Sequence, residues 1–144
     1  MANSVCEVLL TEAPLDAPAQ NHDVDSGAIV DFCGVVRKLE DGLEIAGIEY
    51  EVHGEMAEHQ LRQIAEEAVK KLGLRLVMIR HRIGFIAAGE PSLFLRVASA
   101  HRGEGFRASQ WIVDELKKKV PIWKRPRFKG DSQRRGSHSE AATV

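Results

Sequence analysis

Pro121 closes a stretch, Glu104 to Val120, in which Phe106, Ser109, Val113, Leu116 and Val120 recur with helical period. A proline ring fixes φ and carries no N–H, so the helix stops there. The residues before the helix have the other period: Leu93, Leu95 and Val97 share one face of a strand running from Leu93 to Ala100. A strand that feeds a helix through His101-Arg102-Gly103-Glu104-Gly105 restricts the chain to architectures in which helices pack on a sheet. Both ends of that helix are basic, with His101-Arg102 before it and Lys117-Lys118-Lys119, Lys124 and Arg125 around its close.

The rest of the chain fits the same layered plan. Val5 to Leu10 reads as a first strand, followed by a polar, proline-containing loop to Ser26. Ala28 to Val36 is rich in Val, Ile and Phe, as in a strand buried on both faces or nearly so. Asp41-Gly42 marks a turn, and Ile45 to His53 reads as the returning, antiparallel strand of a hairpin with it. From Glu55 to Leu72 the positions Ala57, Leu61, Ile64, Ala68 and Leu72 describe a first helix, stopped by Gly73. Leu74 to Ile83 alternates as a strand, Gly84 and Gly89 allow bends, and Ile122 to Phe128 reads as extended. The expectation is an α+β fold: a mixed, mostly antiparallel sheet with two main helices, one domain over residues 1–130 and a flexible tail over 131–144.

Twenty Lys+Arg against 21 Asp+Glu leave a net charge of -1, which argues against a protein that coats nucleic acid. The basic groups nevertheless gather between residues 101 and 135, so a local anion site is compatible with near-neutrality. No apolar run is long enough to cross a bilayer, and no basic segment precedes an apolar one at Met1-Ala2-Asn3, so a cytoplasmic protein is expected. Cys6 and Cys33 have no metal-like spacing, and Cys33 beside Phe32 and Gly34 reads as a buried, inert thiol. His53 and His59 lack a metalloprotease spacing, so neither a metal nor a cofactor is expected.

The basic residues admit two readings. Lysines in a last helical turn offset the helix dipole, by about 0.3–1 kcal/mol each. Lys124 and Arg125 beyond Pro121 crowd further positive charge there, which lowers a lysine pKa and favours a reactive amine. At the other end, His101 and Arg102 at a strand terminus, with Gly103 and Gly105 opening a helix, form a recipe for holding phosphate or carboxylate. Trp123 either anchors its segment in the core or walls a ring-shaped ligand.

Gly34-Val35-Val36-Arg37, Glu51, His81-Arg82-Ile83-Gly84, Ser99-Ala100-His101-Arg102, and Lys117 with Pro121-Ile122-Trp123-Lys124-Arg125 occur in that order. Over about residues 5 to 125 the chain thereby resembles the large, catalytic subunit of molybdopterin synthase. The resemblance implies an α/β hammerhead-like fold with an added antiparallel subdomain, a homodimer, and a heterotetramer with a small ubiquitin-like subunit. That subunit's C-terminal Gly-Gly thiocarboxylate would donate sulfur to cyclic pyranopterin monophosphate, building the molybdopterin dithiolene. It further implies Lys117 and Lys124 as catalytic groups, and Val36, Arg37, His101, Arg102, Lys117, Lys124 and Arg125 as the substrate-binding set. Pro126 stands where the family usually carries an acidic residue, and Ser132-Gln133 where a Trp often follows Gly-Asp. The rival readings are a non-catalytic docking protein for a ubiquitin-like partner and a small anion-binding domain.

Overall fold

Alternation and helical period sort the chain into nine strands and two helices, seen in a computed structural model that describes residues 4–130 and 140–141. In chain order they are β1 (Val5–Thr11), β2 (Ala28–Val35), β3 (Leu39–Glu40), β4 (Leu43–Val52), α1 (Gly54–Leu72), β5 (Leu76–Arg82) and β6 (Gly84–Ala87). These are followed by β7 (Pro91–Ser99), α2 (Arg102–Lys119), β8 (Ile122–Phe128) and β9 (Glu140–Ala141). One sheet has the order β1-β5-β7-β2, parallel only between β1 and β5. In the second, antiparallel sheet β4 pairs with β3, β6 and β8, and β8 with β9. This is the mixed, mostly antiparallel α+β architecture expected, with the second sheet as its added subdomain.

Both helices cover one face of the first sheet, α1 over β1 and β5, α2 over β7 and β2. Val77, Ile79, Leu93, Leu95 and Val97 of the sheet meet Leu61, Ile64, Ala65 and Ala68 of α1 and Ala108, Ile112 and Leu116 of α2. All are essentially inaccessible to water, and each large side chain so buried contributes about 1.5–3 kcal/mol. Across the opposite face runs the loop before β2, pinned by Arg96. Its guanidinium forks onto Asp31 at 2.7 and 3.0 Å and donates to the carbonyls of Pro18 and Ala19. Among the described residues no helix is long and apolar enough to span a membrane.

Several local expectations are corrected. The strand before the Asp41-Gly42 turn does not return on itself: β2 pairs with β7, and the hairpin joins β3 to β4. Asp41 (φ 52°) and Gly42 (φ 78°) are both left-handed, which makes a two-residue turn that closes Glu40 directly onto Leu43. β2 is an edge strand rather than a doubly buried one, so Phe32, Cys33 and Val35 are exposed and the thiol of Cys33 is not sequestered. The face that α2 buries is Gly105, Ala108, Ile112 and Leu116, leaving Phe106 62% exposed. A Cβ at Gly105 would lie 3.1 Å from both Ser99 Oγ and Val30 Cγ2, so close approach to the sheet selects the small residues over the large one. Strand β6, unforeseen, follows a bend at Gly84 (φ 86°). Of the tail expected over 131–144, only Glu140–Ala141 falls within the described residues, paired with β8.

Candidate functional site

Strand β7 delivers His101 to the start of α2 in extended conformation (φ -133°, ψ 153°). Ser99 Oγ fixes this corner by donating to the His101 carbonyl at 2.7 Å. The imidazole makes no cap of its own; it stands in solvent, with Nδ1 3.5 Å from Glu104. Arg102, first residue of the helix, is exposed and has no carboxylate partner among the described residues. Cation, imidazole and free helical N–H groups thus share one corner, as phosphate recognition requires.

At the other end of α2 the three lysines are not equivalent. Lys118 and Lys119 both reach Glu115, at 3.6 and 2.8 Å. Glu115 thereby holds Lys119 above the usual lysine range, and Lys119 holds Glu115 below the usual carboxylate range. The expected crowding is therefore relieved by a carboxylate at Lys118 and Lys119. Lys117 is exposed and has no such partner among the described residues.

Strand β8 sorts its cations by face. Trp123, Arg125 and Arg127 point one way, and there Arg125 pairs with Glu51 (2.9 Å) and Arg127 with Glu49; Lys129, just beyond the strand, pairs with Glu44 (3.2 Å). Lys124 points the other way, opposite Tyr50 in register, on the face where Ile48 and Tyr50 are buried. It is half-buried and makes no ion pair with a described side chain, and Glu140 of β9 stands opposite it in register. Trp123 is also half-buried, its ring edge-on to His53 at 5.1 Å. Pro126, the departure noted in the sequence, lies buried opposite Ile48, where its missing N–H is accommodated within the strand.

Beyond the last residue of β2, Val36 is buried at 3% exposure. Its N–H donates to the Glu90 carbonyl at 3.0 Å, and its carbonyl accepts from Gly89 N–H at 2.7 Å. Val36 is thus tied to the turn through both backbone groups and leads directly into Arg37, which is exposed and unpaired among the described residues.

Topology decides which of these groups are neighbours. β2 pairs Ala28 with Ser99 and Val35 with Pro91, and α2 starts beside Ser99 and runs back over β7 and β2. Arg37, Lys117 and Lys124 therefore belong to one end of the molecule, where α1 begins and β8 departs. His101 and Arg102 belong to the other, about 22 Å away along a helix that rises about 1.5 Å per residue.

His81, from the His81-Arg82-Ile83-Gly84 segment, is wholly buried and edge-on to Tyr50 at 5.4 Å. Its Nδ1–H donates to the Arg82 carbonyl at 2.7 Å, which leaves an unprotonated Nε2, buried without a partner among the described residues. Burial depresses its pKa to about 4. Tyr50, also buried, was not singled out by sequence reasoning; its place opposite Lys124 depends on a strand register that no short motif encodes.

Comparison with known proteins gives these observations a context. A family model described as MoaE protein matches residues 10–119. The molybdopterin synthase catalytic subunit of Thermoplasma volcanium is 40% identical over 126 residues, covering 87% of this chain and 92% of its own. Among solved structures, molybdopterin synthase from Staphylococcus aureus superposes with a TM-score of 0.73 at 28% identity, over 96% of each chain. A chain from the complex of subunits 1 and 2 of the Helicobacter pylori molybdopterin-converting factor shares the fold, with a TM-score of 0.63 at 18% identity over 90% of this chain and 92% of that one.

Proposed function

The chain belongs to the MoaE protein family and does the work of a molybdopterin synthase catalytic subunit; on that premise we propose a division of labour among its unpaired cations. The observation that carries the proposal is selective pairing. In a region where Lys118, Lys119, Arg125, Arg127 and Lys129 are each matched by a carboxylate, no described side chain pairs with Lys117 or Lys124. A cation kept free of a neighbouring carboxylate is available to an anionic ligand.

The substrate is cyclic pyranopterin monophosphate, and the sulfur donor is the C-terminal Gly-Gly thiocarboxylate of a small ubiquitin-like subunit. A two-subunit relative from Helicobacter pylori with this fold supports the presence of a small partner. Lys117 sits against the partner's C-terminal carbonyl: once the thiocarboxylate sulfur is bonded to the pterin, water adds to the acyl carbon, Lys117 stabilises the resulting oxyanion, and its collapse to a carboxylate breaks the C–S bond and leaves the sulfur on the pterin. Lys124, held on the protein-facing side of β8, acts as acid and base on the pterin. Arg37, His101 and Arg102 hold the phosphate through charge-assisted hydrogen bonds, with Arg125, steadied by Glu51, adding positive potential at the rim. The reaction takes place in the cytoplasm and needs no cysteine of this chain, since the sulfur arrives with the partner.

Groups about 22 Å apart do not close on one phosphate, so the site is completed by a second copy. We assign that copy to the open edge of β2, where Phe32 and Val35 are 38% and 48% exposed, with Phe106 on the flank of α2 that faces away from α1. Two-fold-related edge strands run antiparallel. Because α2 runs in the same direction as β2, this pairing lays the His101 end of one α2 beside the Lys117 end of the other. With a small subunit on each copy the assembly is a heterotetramer.

The test is dithiolene formation from cyclic pyranopterin monophosphate and thiocarboxylated small subunit, with Lys117→Ala in parallel. Product from the unaltered chain and its loss in the variant are expected. Partner binding without product would favour the docking protein instead.

A further inference from the structure

Arg37 has no partner of its own among the described residues, yet the residue before it, Val36, has both its backbone groups held by one turn. Residues Ala87 to Glu90 connect β6 of the second sheet to β7 of the first. Glu90 N–H donates to the Ala87 carbonyl at 3.0 Å, with Gly89 left-handed at φ 93°, so this is a β-turn that needs glycine at its third position. Ala88 N–H ties the turn to β4 through the Ala46 carbonyl at 2.9 Å. Gly89 N–H and the Glu90 carbonyl take both backbone groups of Val36, next to Arg37. The Glu90 carboxylate then folds back over the turn. Its Oε1 accepts from Ala87 N–H at 3.2 Å and from Arg82 Nη1 at 3.1 Å, and Arg82 Nε reaches the Glu12 carbonyl at 3.3 Å.

From this geometry we infer that Glu90 is a positioning residue for Arg37: its carboxylate locks the Ala87–Glu90 turn, whose backbone sets where the Arg37 guanidinium meets the substrate phosphate. The inference rests on the reading of Arg37 as a phosphate ligand. Removing the carboxylate takes this acceptor from Ala87 N–H and from Arg82 Nη1 and loosens the turn, while every group that touches substrate is still present. A ligand displaced by an ångström loses much of its use, so the consequence falls on substrate affinity.

The experiment is steady-state kinetics of the complete synthase, with thiocarboxylated small subunit and varied cyclic pyranopterin monophosphate. Unaltered chain, Arg37→Ala, Glu90→Ala, Glu90→Gln and the double variant Arg37→Ala/Glu90→Ala are compared. Glu90→Ala is expected to raise KM about tenfold with a smaller effect on kcat. Glu90→Gln, which keeps an oxygen for Ala87 N–H and Arg82, is expected to restore most of the loss. The double variant should be no worse than Arg37→Ala alone, because Glu90 acts through Arg37. If Arg37→Ala raises KM and Glu90→Ala does not, or if the two effects multiply in the double variant, the positioning role is wrong. If Arg37→Ala leaves KM unchanged, it is the assignment of Arg37 itself that falls, and this inference with it.

Discussion

Lys117 and Lys118 are adjacent, both exposed and identical in chemistry, but among the described residues only Lys118 has a carboxylate, Glu115, in reach. Lys117→Ala should cost about a hundredfold or more in turnover, the scale of a lost oxyanion contact, while changing stability by no more than about 0.5 kcal/mol at so exposed a site. Lys118→Ala should leave turnover near that of the unaltered chain; thermal melts and dithiolene assays of the two variants side by side check both statements. His81 gives a second residue-scale prediction, on stability. Its folded pKa, about 4, lies below the usual 6.5, so on acidification the unfolded chain takes up a proton that the folded one refuses. The associated stability is complete above pH 6.5 and is lost as pH falls toward 4, amounting to about 3 kcal/mol. Denaturant melts across that range should show the loss, and in His81→Leu the slope should flatten. The motif containing His81 was legible in the sequence, but its burial was not, because that depends on two sheets meeting at Tyr50.

Elements were legible where periodicity alone decides them. α1, β5, β7 and β8 stand close to where alternation and helical spacing put them. The reading failed where a neighbour decides. α2 turns Gly105 and Ala108 toward the sheet and Phe106 away, since the separation of helix and sheet, not side-chain size, selects the buried face. β2 looked central by composition and is an edge strand, because strand order lies beyond what local pattern contains. Ile112→Ala should therefore destabilise the fold by about 2–5 kcal/mol, as for other fully buried large-to-small changes, measured by urea unfolding. Phe106→Ser should leave the stability of the single chain almost unchanged and weaken self-association, measured by sedimentation across a concentration series. A large fall in stability with undiminished association would show that Phe106 belongs to the core.

At the scale of the whole molecule, the basic residues marked in the sequence as a set are divided by the fold between two ends of α2. The sequence shows their order and the helix between them, and so contains the separation implicitly. It does not contain the second copy proposed to remove it. In the proposed dimer the division becomes productive through direction: β2 and α2 run the same way, so antiparallel association of edge strands would bring the two unlike ends together twice. The most direct measurement is dithiolene formation by a co-expressed pair of chains, one carrying Lys117→Ala and the other His101→Ala with Arg102→Ala, each inactive alone. A mixed dimer then contains one site with both defects and one with none, so activity should return to about a quarter of the unaltered level if the chains pair at random. No recovery, with mixed dimers shown to be present, would mean that each copy builds its site from its own residues, contradicting the proposed arrangement.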